Sequence, residues 1–205
     1  MKLSTGSIRI AAVILAAGKS SRFGSNKLVT KLGGKPVIEW SIDSLSKVEF
    51  RRILIVTNGL KEAYSFRYEG IENIVNERFQ EGIGTSIARA TGELKDEVDA
   101  ILFLLGDQPL VGPDNIEKLV KQFLNDPRKV AAFSVGGKVR NPMIFPSGFF
   151  KDLLCLSGDN GAREIAVTHE DSVAKIEIDP ALLSDIDVVE DIDVIERYLE
   201  RTRKT

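Results

Sequence analysis

The sequence has few of the residues that supply most protein nucleophiles and soft metal ligands. It contains one cysteine, Cys155, and one histidine, His169, among 205 residues. One cysteine excludes an internal disulfide and, beside a single histidine, a zinc site built from several such side chains. Cys155 lies in an apolar run, which predicts a buried, unreactive thiol, whereas His169 lies in a polar segment typical of a solvated helix end. A serine–histidine relay would depend on that one histidine.

Long apolar runs and a large net charge are also missing. No segment approaches the roughly 20 apolar residues that a helix needs to span a bilayer. The apolar run at residues 10–17 is short, and a glycine-rich basic loop follows it where a signal peptide would be cleaved. The formal net charge of −2 gives no reason to expect nucleic acid or an acidic membrane as a partner. We therefore expect a cytoplasmic protein that binds neither.

Apolar runs alternate with segments of helical period, which is typical of α/β proteins with a largely parallel sheet. Six segments are predicted strands, of which the first three are almost continuously apolar, as strands covered on both faces are: 10–16, 53–57, 100–105, 130–135, 71–75 and 173–178. Pro36 and Pro113 suit first helical positions, and a last helix is expected around Ile195. The sequence predicts a single three-layer α/β/α, Rossmann-like domain over residues 1–205, with residues 1–7 and 200–205 flexible.

The first predicted strand runs into a glycine-rich, basic loop at residues 16–27. Such a turn presents backbone N–H groups on which a phosphate chain can rest. No acidic residue precedes Glu39, whereas five cations lie in or just after the loop: Lys19, Arg22, Lys27, Lys31 and Lys35. The glycine spacing fits neither a P-loop nor a dinucleotide-binding fingerprint. A solvated surface loop is the alternative, but the position at the carboxyl end of a strand favours a site for a polyanion.

The predicted strand at residues 100–105 ends in Gly106-Asp107-Gln108-Pro109. If this strand is parallel to the first, Asp107 lies at the same edge as the basic loop. One or two carboxylates together with substrate phosphates are the usual ligands of Mg²⁺, and the alternative is a turn that Asp107 opens. A second carboxylate could come from the acidic residues between 179 and 196, although Asp193 with Glu196 also fits a helix N-cap and capping box.

Several motifs follow one another in a recognisable order. The chain reads Leu15-Ala16-Ala17-Gly18, then Ser21-Arg22-Phe23-Gly24 and Lys27, and here it resembles the opening signature of the nucleotidyltransferases that act on molybdopterin. The segment 106–109 resembles the motif of the cytidylyl-transferring branch, molybdenum cofactor cytidylyltransferase. The segments 81–86 and 158–163 are similar to that branch as well. Asp191-Ile192-Asp193 resembles the family's closing Asp-Ile-Asp-Thr-Pro-Glu-Asp. The resemblance covers nearly the whole chain.

The resemblance implies a nucleotide-diphospho-sugar transferase-like fold and a set of site residues. The implied nucleotide contacts are Leu15, Ala16, Ala17, Gly18, Lys27, Asn76, Gly82 and Ser86. Arg22, Lys27 and Asp107 would be catalytic, and Asp107 with Asp193 would hold Mg²⁺. Because Val194-Ile195 replaces the family's Thr-Pro, Asp191 is the alternative second ligand. On the acceptor side, Asn141-Pro142 stands where the family has His-Pro.

The implied reaction is transfer of CMP from CTP to the phosphate of the molybdenum–molybdopterin cofactor, with release of pyrophosphate. The implied protein partner is a molybdenum hydroxylase or its chaperone. Three alternatives stay open: a GTP-using molybdopterin guanylyltransferase, a cytidylyl- or uridylyltransferase for a sugar or alcohol phosphate, and a nucleotide-binding regulator without catalysis. Gln108 and Ala17 favour the cytidylyl branch, because the guanylyl signature usually has glycine at the latter position.

Overall fold

The predicted strands assemble into one sheet. The computed structural model describes residues 8–18, 23, 26–59 and 69–202. Its strands are β1 (Ile10–Leu15), β2 (Lys31–Leu32), β3 (Lys35–Pro36), β4 (Arg52–Thr57), β5 (Ile71–Val75), β6 (Ala100–Leu105), β7 (Val130–Val135), β8 (Lys138–Pro146) and β9 (Val173–Glu177). The main sheet has seven strands in the order β5-β4-β1-β6-β8-β7-β9, while β2 and β3 form a small separate ribbon. Within the main sheet, β8 is antiparallel to both of its neighbours and the other pairs are parallel.

Helices cover both faces of this sheet. They are α1 (Val37–Ser46), α2 (Ile83–Leu94), α3 (Pro113–Asn125), α4 (Phe150–Leu154), α5 (Ala162–Thr168) and α6 (Val189–Thr202). Side chains of β1 alternate between the faces: Ala12 and Ile14 pack with α1, α3 and α6, and Ala11 and Val13 pack with α2, α4 and α5. The result is the predicted three-layer α/β/α arrangement with a mostly parallel sheet. None of the helices in the described ranges is long and apolar enough to cross a membrane.

All six predicted strands are present, but β8 was not predicted. Its sequence contains Asn141-Pro142, and a proline within a strand removes a hydrogen-bond donor from the ladder. The sheet tolerates this at an irregularity: Met143 pairs with Ala132, and the next partner, Phe133, pairs with Arg140. Asn141 and Pro142 are thereby left as the extra residues of a bulge, where proline is accepted.

Two local predictions need correction. Cys155 is exposed, because the apolar run after Phe150 is amphipathic and buries Leu153 while the following two residues face solvent. The last helix begins at Val189, so Asp193 lies inside it and is not its N-cap. Residues 200–202 form the end of α6, whereas residues 1–7 and 203–205 lie outside the described residues. His169 is exposed at the end of α5, as predicted.

Candidate active site

The strands β1 and β6 end side by side, and this brings the two most informative loops together. Leu15 is paired with Leu105 in the parallel register, and the Gly106 N–H donates to the Leu15 carbonyl at 3.0 Å. A Cβ at Gly106 would lie 3.3 Å from that carbonyl oxygen, so glycine suits this close approach. The predicted common edge is therefore confirmed: the chain after β1 and the chain after β6 leave the sheet at one place.

Lys27 and Asp107 meet above this edge. Lys27 begins a short 3-10 turn that Asn26 caps through its side chain and that Leu28 anchors in the core. The Lys27 Nζ atom lies 2.6 Å from Asp107 Oδ2 and 3.2 Å from Asp187 Oδ1. Burial alone would lower the pKa of Lys27, but the charges of Asp107 and Asp187 and their hydrogen bonds outweigh burial, and the pKa is raised. Lys27 is therefore a fixed positive charge between two carboxylates.

The second carboxylate beside Lys27 comes from the segment before α6, and not from α6 itself. The Ile186 N–H donates to the Asp107 carbonyl at 3.0 Å, which ties the Asp185-Ile186-Asp187 segment to the end of β6. The Asp191 carboxylate accepts from the N–H groups of Asp187 and Val188 at 2.8 and 2.9 Å, as a third helical residue does in a capping box. Asp191 thus caps α6 and fixes the approach of Asp187 to the site.

Asp187 is the residue that sequence reasoning missed. Two Asp-Ile-Asp segments occur six residues apart, and the resemblance assigns the closing family motif to the second. The first one, at 185–187, is followed by Val188-Val189-Glu190-Asp191 and so also matches the motif's final aspartate. This additional match makes the first segment the better fit to the motif. Asp193 is exposed within α6 and is not among the residues that line the cavity described below.

Asp185, which lies beside Asp107 and Asp187, has an unusually high pKa. Partial burial, then the negative charge of Asp107, raises the pKa of the Asp185 carboxyl to about 6. The charge of Asp187 acts in the same direction, whereas a hydrogen bond from Gln108 and the charge of Lys27 oppose it. Carboxylates therefore crowd this edge beyond what the single ammonium of Lys27 neutralises, which favours an additional cation.

The start of α2 and the segment 157–160 form the opposite wall in close contact. Gly82 has φ +115°, and a Cβ there would lie 2.2 Å from the Gly158 carbonyl oxygen. The Gly84 N–H donates to that same carbonyl at 3.0 Å, and a Cβ at Gly84 would lie 2.7 Å from the Asn160 carbonyl oxygen. The glycines of the segment 81–86 are thus explained by backbone-to-backbone packing, which no larger residue would permit.

Asn76 supports this wall from behind. It is 3% exposed, and its amide donates to the hydroxyl oxygens of Thr85 and Ser86 at 2.8 and 2.9 Å. Its carbonyl oxygen accepts from the Arg78 N–H at 3.0 Å. Each polar atom of the side chain thus has a protein partner. Asn76 therefore positions the first turn of α2 through Thr85 and Ser86, and it does not line the cavity itself.

These walls enclose a cavity of about 390 Å³, within the range of small-molecule sites. Seven of the eight residues predicted to contact a nucleotide line it: Leu15, Ala16, Ala17, Gly18, Lys27, Gly82 and Ser86. Phe79, Asp159 and Asp187 line it as well and were not predicted. Arg22 lies outside the described residues. Within the described ranges, no three histidine, cysteine or carboxylate side chains form a metal cage by themselves.

A cavity at the carboxyl edge of the sheet, lined by the residues that follow β1, a fixed lysine and a carboxylate after a buried strand, is typical of the ligand sites of open α/β proteins. Residues 12–173 match the family described as the MobA-like NTP transferase domain. The chain belongs to this family.

This chain matches only part of the length of its curated relatives. The probable molybdenum cofactor guanylyltransferase of Pyrococcus horikoshii is 36% identical over 126 residues, which are 60% of this chain and 61% of that protein. The bifunctional protein GlmU of Desulfitobacterium hafniense is 35% identical over 113 residues, which are 54% of this chain and 25% of that protein. The chain therefore covers less than two thirds of either relative.

Solved structures share the fold over almost the whole chain. Rv0371c of Mycobacterium tuberculosis H37Rv has a TM-score of 0.81 at 22% identity, covering 94% of this chain and all of that one. Its complex with manganese has a TM-score of 0.78 at 20% identity, covering 92% and 98%. At these identities the likeness shows the fold.

Proposed function

We propose that this protein is a cytoplasmic, metal-dependent enzyme that transfers CMP from CTP to the phosphate of the molybdenum–molybdopterin cofactor and releases pyrophosphate. The observation that carries the proposal is the 2.6 Å contact of Lys27 with Asp107 at the wall of one cavity. A triphosphate needs a fixed cation and a metal-binding carboxylate within reach of the same phosphates. The Pyrococcus relative, by its name a molybdenum cofactor enzyme, supports this choice of acceptor.

The residues present fit a divalent cation. Asp107 and Asp187 both lie within ion-pair distance of one ammonium, so the space between them already suits a positive charge. Carboxylate oxygens are the ligands that Mg²⁺ prefers, with substrate phosphates completing its shell. We propose that Asp107 and Asp187 hold Mg²⁺, in preference to Asp193. Bound there, the ion supplies charge stabilisation for the phosphates, and the manganese complex of Rv0371c is consistent with a divalent cation in this fold.

The chain's own groups then bind and orient the triphosphate. The backbone N–H groups of Ala17 and Gly18, which line the cavity, and the fixed positive charge of Lys27 are proposed to contact phosphate oxygens. Arg22, which follows in the same loop, is proposed to assist. These donors stabilise the negative charge that develops on the α-phosphoryl oxygens and on the departing pyrophosphate.

No general base is needed in this scheme. A phosphate oxygen of the acceptor is already ionised near neutral pH, and it forms the new bond to the α-phosphorus. The bond from the α-phosphorus to the oxygen that bridges to the β-phosphorus breaks, and its electron pair leaves with pyrophosphate. This agrees with a cavity wall that includes carboxylates and a lysine but not His169.

The preference for CTP rests on Ala17, a cavity residue at which the guanylyl signature usually has glycine. GTP is the second candidate, because the Pyrococcus relative is named a guanylyltransferase. The deciding experiment is pyrophosphate release with each of the four nucleoside triphosphates, with and without molybdenum-loaded molybdopterin. We expect CTP to give the highest kcat/KM of the four nucleotides, and turnover only when this acceptor is present. In Ala17→Gly, we expect the ratio of kcat/KM for CTP to that for GTP to fall. Turnover with a sugar or alcohol phosphate alone, or none with any acceptor, would contradict the proposal.

A further inference from the structure

Two arginines from different elements share one backbone carbonyl. Arg140 Nη1 donates to the Val139 carbonyl oxygen at 3.1 Å, and Arg163 Nε donates to the same oxygen at 3.0 Å. Arg140 lies half-buried in β8, and Arg163 lies in the first turn of α5. Two guanidinium groups that meet at one oxygen repel each other, because both are positively charged.

Neither arginine has an acidic partner in the part of the chain that the structure describes. Other arginines do pair with carboxylates there: Arg9, Arg52, Arg78, Arg89 and Arg128. Each guanidinium has five N–H donors, and the contacts with Val139 use one from each. The pair therefore presents uncompensated positive charge and several donors, which is the chemistry that recognises phosphate.

The pair lies at the edge of the sheet that carries the cavity. Arg140 is paired with Phe133, in the carboxyl-terminal half of β7. Along β8 it lies beyond Met143, which pairs with Phe103 of β6, in the direction in which β6 runs towards Asp107. Arg140 is thus on the carboxyl edge of the parallel strands.

The segment that leads into α5 joins the pair to the cavity wall. Gly158 packs directly on Gly82 and Gly84, and Asp159 lines the cavity. The chain then enters α5, whose second residue is Arg163. One short stretch of backbone therefore contacts the proposed nucleotide site at one end and carries half of the arginine pair at the other.

We propose that Arg140 and Arg163 bind the phosphomonoester group of the acceptor substrate, on the flank of the triphosphate cavity. The inference rests on the proposed function in that the acceptor is a phosphate. It divides the two anionic substrates between two sets of cations: Lys27 with the glycine-rich turn for the triphosphate, and the arginine pair for the acceptor.

The kinetic test compares Arg140→Gln and Arg163→Gln with Arg51→Gln. Arg51 also has no carboxylate partner among the described residues, and it precedes β4 at the opposite edge of the sheet. In pyrophosphate release with molybdenum-loaded molybdopterin, each site variant is expected to raise the KM for the acceptor about ten- to a hundredfold, as loss of hydrogen bonds to a charged group does. The Kd for CTP measured by calorimetry stays unchanged. Each single variant leaves one donor on the Val139 carbonyl, which protects the fold. An acceptor KM equal to that of Arg51→Gln, or an equal weakening of CTP binding, overturns the inference.

A second measurement is independent of catalysis. Inorganic phosphate is titrated into the wild-type protein and into the double variant R140Q/R163Q, with the cavity saturated by CTP and Mg²⁺ in the absence of acceptor. The wild type is expected to bind phosphate at least tenfold more tightly than the double variant, and R140K/R163K to fall between them. Equal phosphate binding by wild type and double variant sinks the arginine site. If no acceptor supports turnover but this difference persists, the proposed function fails while the anion site stands.

Discussion

Lys27 Nζ lies 2.6 Å from Asp107 Oδ2, with both side chains largely buried, although one residue follows the first strand and the other follows the sixth. The two charges neutralise each other until ligands of opposite sign arrive. A phosphate oxygen can then pair with the Lys27 ammonium, and a metal ion can bind the Asp107 carboxylate. Both groups are held in place by the strand ends beneath them, so binding requires an exchange of partners and little movement of the backbone.

Asp107→Asn keeps the size of the side chain and removes its charge. We expect turnover to fall about 10²–10³-fold, the usual cost of one electrostatic contact to a reacting centre, while the thermal midpoint stays close to that of the parent. Pyrophosphate release and thermal unfolding measure the two effects. Asp43→Asn, which also breaks an ion pair with a lysine, but on the exposed surface of α1, is the matched control. Normal turnover in Asp107→Asn would remove this residue from the metal site.

Lys27→Ala separates the role of the ammonium from that of the metal. Without the lysine, Asp107 and Asp187 lose a shared cation, so we expect Mg²⁺ alone to bind more tightly. Triphosphate without metal should bind about ten- to a hundredfold more weakly, because a hydrogen bond to a charged group is lost. Calorimetry with each ligand separately tests both directions. Lys121→Ala, at an exposed pair with Glu117, controls for loss of a surface charge, and identical affinities in both variants would exclude Lys27 from the site.

The choice between the two Asp-Ile-Asp segments can be tested directly. Asp187→Asn is expected to raise the Mg²⁺ concentration that gives half-maximal turnover about tenfold, the effect of losing roughly 1.4 kcal/mol of ligand affinity. Asp193→Asn, at an exposed position of α6, is expected to leave it unchanged. Magnesium titrations of the two variants at saturating CTP give the answer. The opposite ranking would mean that the second segment carries the ligand after all.

The sequence was sufficient for most of the sheet because its central strands are buried on both faces and therefore read as continuous apolar runs. The convergence of Lys27 with Asp107 followed from the same reasoning, since parallel strands end at a common edge. The strand β8 could not be found in this way, because Asn141-Pro142 argues against a strand unless a bulge is already known. One of its partners, β7, is only two residues away across Gly136-Gly137, whereas the other, β6, lies far away in the chain.

For a different reason, the sequence did not lead to Asp187, which we propose in place of Asp193 as the second carboxylate. Both Asp-Ile-Asp segments precede residues of helical period, and a sequence gives the start of a helix less accurately than its existence. Only the start of α6 at Val189 shows which segment lies in front of the helix. The role of Asn76 was equally inaccessible, because a buried amide that holds Thr85 and Ser86 looks in sequence like one that faces a ligand.

The pKa of Asp185 predicts a pH dependence of stability. In the unfolded chain this carboxyl titrates near the ordinary value of about 3.9, and in the folded protein its pKa is about 6. Between these values the native state binds a proton that the unfolded state has lost, so the free energy of unfolding falls as pH rises through this window. In Asp185→Asn this side chain cannot ionise, so the free energy of unfolding of the variant does not fall in this way. The side chain keeps contact with solvent, which limits the size of the effect.

We therefore expect Asp185→Asn to be more stable than the parent at pH 7, with the difference vanishing towards pH 4. Urea unfolding at a series of pH values, with a chelator present, measures it. Asp193→Asn serves as the control for an exposed aspartate. A stability difference that is constant across this range would show that Asp185 does not have the raised pKa.

The packing of α2 against the segment 157–160 gives the last prediction, since the helix contains two glycines with different surroundings. A Cβ at Gly84 would lie 2.7 Å from the Asn160 carbonyl oxygen, whereas one at Gly92 would meet its nearest neighbour, a Leu154 methyl, at 3.8 Å. Gly92→Ala should stabilise the protein by about 0.5–1 kcal/mol, as alanine does in a helix interior. Gly84→Ala should destabilise it by about 1–3 kcal/mol, because backbone atoms must move. Gly84→Ala should also weaken CTP binding, because the displaced segment carries Asp159 at the cavity wall. Urea unfolding and CTP calorimetry on the two variants measure both effects. A Gly84→Ala protein with parental CTP affinity would show that this wall does not shape the proposed nucleotide site.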